Sequence, residues 1–176
     1  MSLLMRTRFC AVTLTAALVS VSTFSVGCKS TPTIPGTEIP DTEESRAILD
    51  VLERFRIGFV QRDAAAVLAT ADPTYSDFGG TDDPGDDIIY EDLATRLSRR
   101  LAQLDSIRFA MDYLEVHVSG DRAVARVWID ASYRLRPLLD SEGEARDQPE
   151  YRLKQDYAEF ELLRQADGGW LITRGF

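Results

Sequence analysis

The sequence contains little of the chemistry on which disulfides, metal sites and covalent catalysts depend. Its 176 residues include two cysteines and one histidine. Cys10 and Cys28 both lie in the first 28 residues, so the chain beyond them has no thiol for an internal disulfide or a catalytic nucleophile. His117 has no second histidine to complete a metal site or proton relay, and the strand pattern around it predicts an exposed side chain. A glycine-rich phosphate loop is also lacking, so we expect no metal and no cofactor.

Acidic residues outnumber basic ones, and this argues against nucleic acids as partners. Twenty lysines and arginines stand against 29 acids, a formal net charge of −9. Arg6 and Arg8 precede Cys28 while every acid follows it, so 18 cations against 29 acids leave −11 after that point. Nucleic acids reward a basic face, and anionic headgroups repel an acidic one. We therefore expect no nucleic-acid partner and interpret the charge mainly as a source of solubility.

The first 28 residues have the layout of an export signal. Two arginines and no acid precede an apolar run from Phe9 to Val26, which six serines and threonines dilute. This dilution favours a cleaved segment over a permanent membrane span. The end of the run, Ser25-Val26-Gly27-Cys28, resembles a bacterial lipobox. The resemblance implies a signal peptide at 1–27 and a lipid on Cys28. Plain secretion and an uncleaved anchor remain the alternatives.

The predicted lipid defines an expected location and a domain boundary. A lipid on Cys28 would attach the chain to a membrane, and Lys29 after it resembles the sorting pattern for the periplasmic face of the outer membrane. Residues 30–41 hold three prolines and a glycine without periodicity, which predicts a flexible, extended tether at 28–41. The remaining residues, 42–176, suffice for one domain with one core.

Within that domain, helices precede strands. A helix with an apolar stripe, Ile48, Leu52, Phe55 and Phe59, is predicted to begin at Asp41. Shorter helical patterns follow at 64–69 and 89–104. Alternating patterns then predict strands at 107–118, 122–135, 151–165 and 170–176. This order predicts an α+β domain, with three helices packed on one face of a four-stranded antiparallel sheet.

Three segments carry a resemblance to a known family. They are Gly58-Phe59-Val60-Gln61-Arg62-Asp63, the hairpin at 118–123, and the closing segment Asp167-Gly168-Gly169-Trp170-Leu171-Ile172-Thr173-Arg174. Together they resemble the nuclear transport factor 2-like (SnoaL-like) superfamily. The resemblance implies a cone-shaped, cystatin-like fold with a bent sheet and a pocket at the open end. The superfamily includes ketosteroid isomerase, polyketide cyclases, scytalone dehydratase and non-catalytic modules, so it implies no single reaction.

The implied pocket suggests two groups of site residues. Tyr75 and Asp77 fall where the resembled fold places the pocket mouth, and a carboxylate walled by aromatics is a better base than an exposed one. Strand parity brings Tyr133, Asp156 and Arg174 towards the same pocket. The ordinary alternatives are an exposed loop acid for Asp77 and a structural Asp156–Arg174 ion pair, in which the arginine would weaken the carboxylate as a base.

Two further features have a structural and a functional interpretation. The acidic loop around Asp77 to Asp87 lacks the alternating spacing of a calcium loop, so we expect solvated or helix-capping acids rather than a metal site. Trp128 falls on the outer face of its strand, where it is either part of a homodimer interface or covered by the loop at 136–150.

Three functions remain open at this point. The first is a non-catalytic module that binds a small hydrophobic ligand or another protein. The second is an isomerase, dehydratase or cyclase with Asp77 or Asp156 as general base and Tyr75 or Tyr133 as hydrogen-bond donor. The third is a homodimeric structural part of the cell envelope.

Overall fold

The structure is a computed structural model that describes residues 31–78, 87–137, 142 and 150–175. Cys28 and the acids between Asp77 and Asp87 lie outside these ranges. The described helices are α1 (Glu43–Gln61), α2 (Ala64–Leu68) and α3 (Tyr90–Ala102). The described strands are β1 (Ser76–Asp77), β2 (Ile88–Ile89), β3 (Leu104–Ser119), β4 (Arg122–Leu135), β5 (Tyr151–Arg164) and β6 (Trp170–Arg174).

Helix α1 is the long helix predicted from the apolar stripe, but it begins one residue later than expected. Thr42 is the N-cap, and its Oγ1 accepts a hydrogen bond from the Ser45 amide at 3.0 Å. Asp41 instead pairs with Arg46. The helix ends at Gln61, and its C-cap Arg62 has a left-handed φ of 56°. The Arg62 Nη1 donates to the carbonyls of Leu104 and Asp105, each at 3.0 Å. The end of α1 is thereby joined to the start of β3.

Four long strands form one antiparallel sheet in the order β3-β4-β5-β6, and β1 and β2 form a separate small ladder. The inner face of β4 is buried as its period of two predicts, with Ala123, Ala125, Val127, Ile129 and Ala131 each at most 6% exposed. These side chains join residues of all three helices in one core. The predicted α+β architecture, with three helices on a four-stranded antiparallel sheet, is confirmed.

The strand β6 is short, and its pairing with β5 is irregular. Within β5 it pairs with residues 161–164, and Ile172 also forms a parallel bridge with Ala71. A register shift separates the pair Glu161–Arg174 from the pair Leu162–Ile172. A bulge of this kind moves the following side chain to the other face of a sheet. Arg174 therefore shares a face with Glu161, and its expected alignment with Trp170 and Ile172 is wrong.

Residues 31–41 differ from the extended tether that their prolines predicted. Thr33 forms an antiparallel bridge with Pro40, and the Ile34 amide donates to the Ile39 carbonyl at 2.9 Å. The Ile39 side chain is 1% exposed. Proline-rich sequence favours extended backbone, but burial of one isoleucine holds this segment as a folded-back turn. Residues 31–176 form one compact unit that contains the whole described core.

None of the helices in the described ranges is long and apolar enough to cross a bilayer.

Candidate functional site

A cavity of about 400 Å³ opens between α1, α3 and the inner face of the sheet, at the end where β3 begins and β4 ends. Two contacts hold the elements around its mouth. The Arg136 amide, just beyond β4, donates to the Gln103 carbonyl at the end of α3 at 2.8 Å. Arg62 holds the start of β3, as described above. The cavity is therefore formed where the ends of these elements are joined, and it borders the core directly, because Phe55 and Phe160 belong to both.

Aromatic rings form the floor of this cavity. Phe55 and Phe59 reach it from α1, Phe109 from β3 and Phe160 from β5. The centroid of the Phe55 ring lies 4.9 Å from that of Phe59 and 5.3 Å from that of Phe160, and the Phe59 and Phe109 rings stack at 5.4 Å. These distances are those of favourable aromatic pairs. The floor is thus a preformed apolar surface suited to a hydrocarbon or a flat ring.

The remaining described lining combines aliphatic side chains with cations. The aliphatic residues are Leu104, Ile107, Ile129, Ala131, Leu135 and Ala158, and the polar ones are Gln103, Tyr133, Arg100, Arg152 and Lys154. Within the described residues, no aspartate, glutamate or histidine lines the cavity. The wall can therefore exclude water and present positive charge, but it offers no carboxylate or imidazole to move a proton.

Tyr133 is the predicted site residue that the structure places in the cavity lining. It is half-buried, and its register partners are Ile107 on β3 and Arg152 on β5. Its face agrees with the parity argument because β4 runs regularly to its end.

Asp156 is not part of the cavity lining, although its strand and its parity were predicted as found. It is the register partner of Ile129, which lines the cavity, but the residue is exposed. Its Oδ1 accepts a hydrogen bond from the Tyr157 amide at 2.8 Å. The hydrogen-bonding capacity of this carboxylate is thus used in part by the neighbouring backbone. The expected convergence of Asp156 with Tyr133 and Arg174 in the cavity is therefore absent.

Asp77, Tyr75 and Arg174 instead form a separate group at the edge of the sheet. The Arg174 guanidinium lies 3.9 Å from Asp77 Oδ1 and 3.3 Å from Glu161 Oε1. The Tyr75 ring is buried in the core, and its hydroxyl lies 3.5 Å from Asp77 Oδ2. None of these residues lines the cavity. The predicted Asp156–Arg174 pair is thus replaced by contacts of Arg174 with Asp77 and Glu161.

Shifted pKa values occur in structural clusters outside the cavity. Burial raises the pKa of Tyr113, and its hydroxyl donates to Glu53 Oε2 at 2.9 Å, which adds to the shift. The hydrogen bond from Arg56 lowers the pKa of Glu53. This arrangement fixes α1 to β3, because Arg56 also donates to the Phe109 carbonyl at 3.4 Å. Strongly shifted groups frequently mark active sites, but here they join two elements of the core.

The other candidates lie on the outer surface. Trp128 is half-buried on the outer face, and its ring centroid lies 4.8 Å from that of Tyr157, which is 62% exposed. His117 is exposed, and its Nε2 lies 3.4 Å from Glu115. Within the described ranges, no group of histidine, cysteine and acidic residues could hold a metal ion. The loop proposed to cover Trp128 lies largely outside these ranges.

The cations that line the cavity were not among the predicted site residues, because the expected general base was a carboxylate. Lys154 falls two residues before Asp156 on the same face of β5, so strand parity was sufficient to place it. Arg100 lies off the apolar stripe of α3, so the helical period gives no sign that it lines a cavity. Gly175, which also lines the cavity, has a φ of 108°, and a Cβ there would lie 2.3 Å from the Glu159 carbonyl oxygen. Alternation gives no signal for such a close approach.

Comparison with known proteins identifies the fold. No protein-family model matches this sequence, and no curated protein matches it. Solved structures do match. A ketosteroid isomerase-like protein from Erwinia carotovora atroseptica is 20% identical, with a TM-score of 0.58, and the match covers 76% of this chain and 94% of that one. A conserved protein from Planctomyces limnophilus is 15% identical, with a TM-score of 0.59 and coverage of 75% and 92%.

A third similar structure carries the family name in its description. It is a candidate dehydratase of the nuclear transport factor 2-like family from Streptomyces avermitilis, 14% identical, with a TM-score of 0.57. The match covers 75% of this chain and 93% of that one. Identities this low carry a fold and no reaction. The described domain of this chain therefore has the nuclear transport factor 2-like fold.

Proposed function

We propose that this chain is a lipid-anchored protein of the bacterial cell envelope whose domain binds a small hydrophobic molecule. The observation that carries the proposal is the cavity itself, with its floor of four phenylalanine rings and its aliphatic walls. Its volume of about 400 Å³ falls in the usual range for small-molecule sites. Burial of apolar surface against such a floor is the main source of affinity for a hydrophobic ligand.

The chemistry of the walls favours binding over catalysis. An isomerase, dehydratase or cyclase needs a base within about 3 Å of the proton that it removes. Asp156 is turned towards its own backbone, and Asp77 lies outside the cavity lining, 3.9 Å from the Arg174 guanidinium. The catalytic alternative, with either aspartate as base and Tyr75 or Tyr133 as donor, thus lacks its reacting group among the described residues of the cavity.

Filling the cavity tests the binding proposal. Ala158 is half-buried and lines the cavity, so Ala158→Phe places a ring where the ligand would lie. The matched control is Ser132→Phe, which adds the same ring to the outer face of the same sheet. The probe is N-phenyl-1-naphthylamine, an uncharged fluorophore, added to purified residues 29–176. We expect Ala158→Phe to weaken binding by about tenfold or more and the control to leave it unchanged.

Two results would count against the binding proposal. One is a wild-type domain that gives no saturable fluorescence. The other is an Ala158→Phe domain that binds as tightly as the wild type while circular dichroism shows both to be folded.

The anchor is tested separately, at Cys28. This residue lies outside the described ranges, so the support comes from the apolar run and the lipobox-like ending at Ser25-Val26-Gly27-Cys28. We expect the wild-type chain to take up labelled palmitate and to sediment with outer membranes, and Cys28→Ser to do neither. Equal labelling of the two chains would exclude lipidation at this cysteine, and sedimentation with inner membranes would exclude the proposed location.

A further inference from the structure

We propose that the cavity selects an amphipathic anion, a single apolar body that carries a carboxylate, sulfonate or phosphate at one end. This inference rests on the proposed binding function and adds the charge of the ligand to it. Arg100, Arg152 and Lys154 line the cavity, and no acid does so among the described residues. The chain as a whole is acidic, with 29 acids and 20 lysines and arginines, so a cavity whose charged residues in the described lining are all positive differs from the net charge of the protein.

Two of these three cations are not neutralised within the described structure. Arg152 Nη2 lies 2.6 Å from Glu150 Oε1, so its charge is offset. Among the described residues, no carboxylate lies within ion-pair distance of Arg100 or Lys154. Asp156, two residues from Lys154 on the same face, is held by the Tyr157 amide at 2.8 Å. Arg100 and Lys154 therefore have no counter-ion in the part of the chain that the structure describes.

The register of the sheet places one cation beside the apolar floor. Phe109 on β3 pairs with Ala131 on β4, and Ala131 pairs with Lys154 on β5. Neighbouring strands lie about 4.8 Å apart, so two such steps separate the backbones of Phe109 and Lys154 by about 10 Å. The residue between them contributes a methyl group. A ligand whose apolar body covers the Phe109 ring thus has its end within reach of the Lys154 ammonium.

Exposure and size define the ligand further. Arg100 and Lys154 are exposed, so water and salt screen their attraction for an anion, and that attraction is modest. Charges of this kind contribute selectivity more than affinity, whereas the rings supply the affinity. A cavity of about 400 Å³ suits one chain or one ring system rather than a two-chain phospholipid.

A matched pair of probes tests the charge alone. The anionic probe is 8-anilinonaphthalene-1-sulfonate, and the neutral probe is N-phenyl-1-naphthylamine, which has the same rings without the sulfonate. Both are titrated into residues 29–176 and into the full chain in phosphatidylcholine nanodiscs, with empty nanodiscs subtracted. The variants are Arg100→Gln, Lys154→Gln and both together. Arg99→Gln is the matched control, since Arg99 lies on the same helix outside the cavity lining.

At low salt we expect the wild type to bind the sulfonate probe about tenfold more tightly than the neutral probe. Each single substitution should weaken binding of the sulfonate probe about threefold. The double variant should lose the preference while it binds the neutral probe unchanged, and Arg99→Gln should change neither. Sodium dodecanoate should displace the sulfonate, and phosphatidylglycerol vesicles should not.

Each failure has a distinct meaning. Equal affinity for the two probes, or a preference that survives the double substitution, overturns the inference and leaves the proposed function standing. Displacement by the vesicles but not by dodecanoate also overturns it, because the anion would then be a membrane lipid headgroup. If neither probe binds the wild type, the inference and the proposed function both fail.

Discussion

Replacement of the Asp72 carboxylate is expected to destabilise the domain in a way that depends on pH. Asp72 is 3% exposed, and it follows the short helix α2. Its Oδ1 accepts hydrogen bonds from the Thr74 amide at 2.8 Å and the Thr74 hydroxyl at 2.6 Å, and its Oδ2 accepts one from Gln165 Nε2 at 2.7 Å. The Asp72 backbone amide donates to the Ile172 carbonyl at 2.8 Å. One side chain thus joins the turn after α2 to the end of β5.

The expected cost of Asp72→Asn follows from these contacts. The substitution keeps the shape and leaves one carbonyl oxygen to accept from Thr74, but it sets an amide donor against the Gln165 amide. Gln165 could rotate by 180°, yet it would then lose its hydrogen bond of 3.2 Å to the Leu163 carbonyl. A hydrogen bond to a charged group contributes about 1.5–3 kcal/mol, and we expect the free energy of unfolding at pH 7 to fall by that amount.

The pH dependence has a definite sign. Burial raises the pKa of Asp72, but the hydrogen bonds from Thr74 and Gln165 outweigh this effect and hold it below the ordinary value of 3.8. A carboxylate with a lowered pKa stabilises the folded state above its unfolded pKa, and this contribution is lost as the pH falls through the folded pKa. The difference between wild type and Asp72→Asn should therefore be full at pH 7 and shrink below about pH 4.

Urea denaturation measures this difference, with the fluorescence of Trp170, which is 3% exposed, as the reporter. The control is Asp167→Asn, at an exposed turn where Oδ1 accepts from the Gly169 amide at 2.9 Å. We expect the control to cost about 0.5 kcal/mol or less. Equal losses in the two variants, or a loss at Asp72 that is the same at pH 3 as at pH 7, would refute the reasoning.

Three further outcomes are expected. Tyr113→Phe leaves Glu53 without one donor and should lower the free energy of unfolding by about 1–2 kcal/mol in urea titrations; no loss would show that the bond is dispensable. In Gly58→Ala a Cβ would lie 2.8 Å from the Val67 side chain, so the free energy of unfolding should fall by about 1–2 kcal/mol. In a Val67→Ala background the same substitution should cost much less, because the clashing side chain is gone. A Gly58→Ala variant that is more stable than the wild type would contradict this contact. If the outer face joins two copies, Trp128→Glu should convert dimer to monomer in light scattering, and an unchanged mass would remove that idea.

The sequence was sufficient to predict the helices and the long strands, and the face of its element on which most side chains lie. Apolar spacing located α1 and α3, and alternation assigned the buried face of β4 and the position of Tyr133. These features depend on period alone, and both periods were regular along the segments concerned. The one-residue shift at the start of α1 arose because Asp41 and Thr42 are both good caps, and Asp41 is bound to Arg46 instead.

The site was harder to predict because it depends on irregular features. One register shift next to Glu161 turns Arg174 to the other face, and no property of the sequence marks where a bulge falls. Asp156 was assigned to the right strand and face, but its carboxylate turned to the Tyr157 amide. The expected general base also favoured acids as site residues, whereas the charged residues that line the cavity include Lys154 and Arg100.

The folded-back turn at residues 33–40 shortens the linker between the proposed lipid anchor and the domain. On the proposal that Cys28 carries the lipid, three residue steps, from Cys28 to Thr31, separate the lipid from the first described residue, rather than the 14 residues of the expected tether. At about 3.5 Å per residue these steps span roughly 10 Å, against roughly 50 Å for the tether. A lipid on Cys28 would therefore bring acids of this chain, whose formal charge after that cysteine is −11, within a short distance of anionic lipids, which would repel them.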